Sequence, residues 1–157
     1  METTTADRAE ALATRLERAA ADLIAVVAPI DDGRWRLTPS ADVWSISKDA
    51  EHVVEAASYH QWIVRLTIGD KVPSRKPVLE RKRMTSDLSS ADIVALISER
   101  TGDARRLVRG LTDDQLDLPT RPPRARDQRL AETIELVLIG HYDVHRREIE
   151  AKLASLA

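Results

Sequence analysis

The sequence contains no cysteine. Disulfides, cysteine-ligated zinc and a thiol nucleophile supplied by the chain are therefore excluded. It also contains no phenylalanine, and its 43% of hydrophobic residues is mostly Ala, Leu, Ile and Val. That set favours helices over aromatic-rich sheets. Only 5 Gly and 7 Pro in 157 residues leave few turns, so a few long elements are expected. The length suits one domain, residues 1–157, with a real core. A net charge of -2 gives no whole-chain argument for binding nucleic acid or an anionic membrane. No apolar run approaches the ~20 residues of a membrane span. The start, Met1 to Asp7, is polar and acidic, unlike a signal peptide. A cytoplasmic chain with no membrane or nucleic-acid partner is expected.

What is present is helical periodicity. Residues 5–28 carry an apolar stripe of Leu12, Leu16, Ala19, Leu23 and Val27. Thr4 or Thr5 can cap its start, and Pro29 ends it. Residues 29–44 connect, and hold Trp35 and Trp44, which either lid the core or line a pocket. A second helix is expected over 45–68, with Ser45 as N-cap and Asp49 and Glu51 suiting its positive end. His52, Ala56, Tyr59 and Ile63 share one of its faces, while His60 points roughly 80° away. His60 is expected at the edge of the bundle and not as a ligand. Residues 69–88 are basic, broken by Pro73 and Pro77, and show no apolar period. They read either as a solvated linker or as a flap that attracts an anionic substrate. A third helix is expected over 90–109, opened by a Ser89/Asp92 capping box and closed by Gly110. Residues 111–128 form a second connection, with Arg121, Arg124 and Arg126 among its prolines.

The last helix, 129–154, carries Leu130, Ile134, Val137, Leu138, Ile149 and Leu153 at helical spacing. His141 and His145 fall in the same stripe, one turn apart. Burying an unpartnered polar ring costs free energy. The pair is either hydrogen-bonded within the core or shares a metal ion. Four helices with one stripe each imply an all-α four-helix bundle. The connection 69–88 is long enough to run back along the bundle, so up-down-down-up and simple up-and-down orders are both feasible. In either, His52 can face His141 and His145. Three imidazoles from two helices can hold a divalent metal and leave positions open. Such a site should lose its metal below pH ~6.

Trp44-Ser45-Ile46, His52 seven residues after Ser45, and Ile139-Gly140-His141-Tyr142-Asp143-Val144-His145 together resemble the DinB family. That family includes the mycothiol- and bacillithiol-dependent enzymes. The resemblance implies a bundle in up-down-down-up order, often a homodimer. It implies a metal, zinc or nickel and sometimes iron, held by His52, His141 and His145. It also implies thiol S-transfer or isomerisation, with a low-molecular-weight thiol and a small electrophile as partners. The alternatives are a non-catalytic metal-binding stress-response bundle and a metal-dependent hydrolase. The mouth of the site is expected near Trp35, Trp44, Lys48 and Tyr59 rather than at 111–128, with Trp44, Lys48 and Tyr59 as substrate-binding residues. Arg81 and Arg83 are expected to meet an anionic thiol. No general base is evident, since helical phase turns most of Glu51, Glu55, Glu135 and Asp143 off the histidine face, leaving Asp143 as a surface residue or an outer-shell partner.

Overall fold

A computed structural model describes residues 5–122 and 127–156. Thr4, Arg124 and Arg126 lie outside the described residues. Four long helices account for most of the chain: α1 (Thr5–Val27), α2 (Ile46–Thr67), α3 (Ser90–Arg109) and α4, which runs through three consecutive segments, Leu130–Thr133, Ile134–Ile139 and Gly140–Ser155. The described residues contain no strand, only isolated bridges between Ser40 and Val43 and between Pro119 and Arg129. The fold is an all-α bundle. Its core is the meeting of the four stripes: Leu16, Leu23, Ile46, Val53, Ile93, Ile97, Leu130 and Ile134 are all essentially inaccessible. Burying one such side chain contributes about 1.5–3 kcal/mol.

Contacts between helices set their directions. Glu10 pairs with Arg109 and Glu17 with Arg105, so α1 and α3 are antiparallel. The side-chain amide of Gln61 donates to Arg100 O (3.3 Å), and Arg65 and Ile68 face Arg106 and Leu107, so α2 and α3 are parallel. Asp49 pairs with Lys152, and Thr67 bonds the Arg121 segment that precedes α4, so α2 and α4 are antiparallel. Taken together the order runs up, down, down, up. The exposed ion pairs mark these directions but each adds little stability.

The expected caps form. Ser45 Oγ accepts from Lys48 N–H, and Ser89 and Asp92 make a reciprocal capping box. Gly110 is the C-cap of α3, but its φ of -83° makes no use of glycine's freedom. Gly69, at φ 81°, does use it, turning the chain out of α2. The connections read as irregular each contain a one-turn helix, Asp32–Trp35 and Asp113–Leu116, nucleated by the side-chain caps Asp31 and Thr112.

The crossover 69–88 is exposed over most of its length, yet it is not loose. It is laid along α2 and fastened by polar contacts. Trp62 Nε1–H donates to Pro73 O (3.2 Å), Glu80 N–H to Glu55 Oε2 (3.2 Å), and Ser45 N–H to Met84 O (2.9 Å). Ser86 N–H donates to Ser47 Oγ (3.0 Å), and Trp35 Nε1–H to Leu88 O (2.8 Å). Because these contacts are hydrogen bonds rather than apolar packing, the segment has no hydrophobic period to betray it. The consequence is that α2 is buried on every side from Ile46 to Val54. His60 is likewise buried, not at the edge, because it meets the first half of α4 near Thr133, Ile134 and Leu138.

A candidate metal centre between α2 and α4

Ser45 fixes where α2 begins, and so fixes His52 about two turns in. From α4, His141 and His145 reach toward it. Ring centroids are 5.1 Å apart for His52 and His141, 5.0 Å for His52 and His145, and 4.4 Å for His141 and His145. One ring nitrogen from each of the three lies within 4.8 Å of the others. The turn of α4 just before His141, Ile134–Ile139, is a π-helix, a rare form that recurs at functional sites. Tyr142, between the histidines, turns inward to the core with its hydroxyl 3.2 Å from Thr101 Oγ1.

The electrostatics keep the three rings neutral. Burial, then the neighbouring His145 and His52, push His141 down to about 3. Burial, then His52 and Lys152, push His145 down to about 4. Burial, then the Arg81 charge, lowers His52. Each ring also has a buried nitrogen without a hydrogen-bond partner: His52 Nδ1, His141 Nε2 and His145 Nδ1. Buried polar atoms are normally satisfied. Neutral imidazoles that each bring one nitrogen within 4.8 Å of the others are a donor set that fits a divalent cation. His145 Nδ1 does lie 2.9 Å from Glu148 Oε2, close enough for charge attraction but not aligned as a hydrogen bond. His60 approaches His141 at 5.1 Å between centroids but is not one of the three converging nitrogens.

The trio opens into a cleft of about 660 Å³ whose walls include Val43, Trp44, Asp49, Arg81, Val144, Glu148 and Lys152. Trp44 stands 5.2 Å from His52, centroid to centroid. A cleft of about 630 Å³ near Gln61, Arg65 and Asp103 holds no imidazole. The cleft beside the histidines lies by the end of the 29–44 connection and the last turns of α4, away from 111–128.

The other residues singled out in the sequence are distributed differently. Lys48 is fully buried and does not line the cleft; its ammonium bonds Glu51 Oε2 and Glu80 Oε2, both at 2.9 Å. Tyr59 lines an adjoining cleft with Arg75, Lys76 and Arg81. Trp35 is in the core. Arg83 is engaged by Glu51, Glu80 and Asp87, whereas Arg81 faces the cleft. Asp143 lies 3.7 Å from Arg146, and Glu135 pairs with Arg15. Two carboxylates were not read as site residues in the sequence, where Asp49 was assigned only to the positive end of its helix. Asp49 and Glu148 form a second group with His145 whose ligand atoms lie within 4.8 Å of one another. Burial pushes Asp49 up to about 6 against the pull of its Lys152 partner. The signal for both was the i, i+3 spacing, Asp49 to His52 and His145 to Glu148, which places the pairs on common helix faces.

Comparison with curated proteins and with solved structures finds no match. The family model described as DinB superfamily matches residues 15–149, a span that includes all three histidines of the trio. The chain belongs to the DinB superfamily.

Proposed function

We propose that the chain is a divalent-metal-dependent thiol S-transferase, using a low-molecular-weight thiol and a small electrophile. The observation that carries the metal part is the convergence of three neutral imidazoles, His52 and His145 buried and His141 partly so, along the wall of an open cleft. His52, His141 and His145 would hold the ion, with zinc or nickel the expected metals. When bound, the ion supplies Lewis-acid polarisation, which lowers the pKa of a thiol or water placed against it.

The chain's own residues do the rest. Trp44 gives the substrate an aromatic wall. Glu148, half exposed and 2.9 Å from His145, can receive the proton released from the thiol. In the transfer the S–H bond breaks, a C–S bond forms, and the electrophile's leaving group departs with its bonding pair. An open cleft beside the histidines favours turnover over a sealed, non-catalytic metal store. Hydrolysis in the same cleft would use water in place of the thiol. Assaying metal-loaded protein with a haloaromatic electrophile and a panel of thiols separates these. Product formation that requires both metal and thiol supports transfer. Product formation without thiol supports hydrolysis, and none with any thiol removes the enzyme reading.

A further inference from the structure

Two clefts meet at one residue. Arg81 lines both the histidine cleft and a neighbouring space of about 530 Å³ bounded by Tyr59, Arg75, Lys76, Pro77, Val78 and Leu79. Tyr59 is stacked on Trp62 at 18° between planes, which gives that space a firm aromatic side. The cations of this region divide into two sets. Arg83 and the buried Lys48 are satisfied by Glu51 and Glu80. No carboxylate of the described residues lies within ion-pair distance of Arg81, Arg75 or Lys76. The Tyr59 cleft carries only cationic charge, from Arg75, Lys76 and Arg81, whereas the histidine cleft also holds Asp42, Asp49 and Glu148, so an anion at Arg81 is favoured from the Tyr59 side.

We infer that the Tyr59–Arg81 cleft is the binding site for an anionic substrate with a flat apolar body, its charged group seated at Arg81 beside the histidines. The body would lie against Tyr59, Pro77 and Leu79, and Arg75 and Lys76 would add attraction from the rim. A carboxylate or a phosphate would meet Arg81 through the same paired N–H donors. The substrate assignment rests on the metal reading above, but the anion site itself can be tested apart from it.

Calorimetric titrations with 1-naphthoate, 1-naphthyl phosphate and neutral 1-naphthalenemethanol provide the test, on full-length protein with and without zinc. The account expects at least one anion to bind ten times more tightly than the alcohol. The tighter of the two tells carboxylate from phosphate. Arg81→Ala should weaken the anion at least tenfold with zinc content unchanged, and Arg81→Lys should recover most of that loss. Equal binding of the alcohol, or an anion affinity untouched in Arg81→Ala, overturns the inference. A wild-type protein that takes up no zinc yet binds the anion through Arg81 supports the anion site and defeats the metal reading.

Discussion

His52, His141 and His145 converge, each held neutral so that a bound ion would find its lone pair free. Their convergence was legible in the sequence, since i, i+4 spacing puts two of them on one face and a capping serine places the third. Replacing any one by Ala should remove most bound metal while leaving helix content unchanged, which elemental analysis and circular dichroism can check. Trp44 is a different case. It touches the His52 ring from the cleft side, so Trp44→Ala should raise KM severalfold at constant metal content. A purely structural Trp44 would lower Tm and leave KM alone. Lys48 was misread as a mouth residue because nothing in its own neighbourhood shows that another segment covers it. Asp49 and Glu148 were passed over for the opposite reason: their spacing was readable, but exposed acids at i+3 are ordinary on helices.

At the scale of elements, the crossover 69–88 decides how α2 is buried. Lys48 is its anchor, fully enclosed and shared between Glu51 and Glu80. The Lys48 charge, through its hydrogen bond, holds Glu80 down at about 2. Removing one member of a buried pair costs about 3–5 kcal/mol, and the partial exposure of Glu80 reduces the expectation for Lys48→Ala to about 2–3 kcal/mol. Denaturant unfolding measures it, and protease susceptibility at 69–88 should rise in parallel. Tyr142→Phe leaves the Thr101 hydroxyl without its 3.2 Å partner and should cost about 1 kcal/mol. The helix ends at Ser45 and Ser89 could be read from local chemistry. The π segment could not, because its residues have the pattern of an ordinary α-helix. The crossover could not either, because hydrogen bonds leave no period.

For the whole molecule, the bundle order follows from long-range pairs that no local pattern contains, such as Asp49 with Lys152 and Glu10 with Arg109. The stripes predict four helices; only the pairs tell which are neighbours. The same architecture sets the response to acid. The unfolded histidines titrate near 6.5, whereas folded His141 and His145 are depressed to about 3 and about 4, and His52 is also lowered. As pH falls below about 6.5, the unfolded chain takes up protons first, so the metal-free fold loses stability through that window. Asp49, raised to about 6, works the other way, gaining its proton first in the folded state. Glu55, also raised by burial, acts in the same sense as Asp49, but three imidazoles outweigh two carboxylates, so Tm of metal-free protein should drop between pH 7 and pH 5; a flat or rising Tm would contradict this balance. The most direct test of the central claim is metal stoichiometry in protein purified without an affinity tag and equilibrated with zinc or nickel. One divalent ion per chain, lost in each of His52→Ala, His141→Ala and His145→Ala, is the predicted result. A wild-type chain that binds no metal, or variants that keep it, would contradict the account.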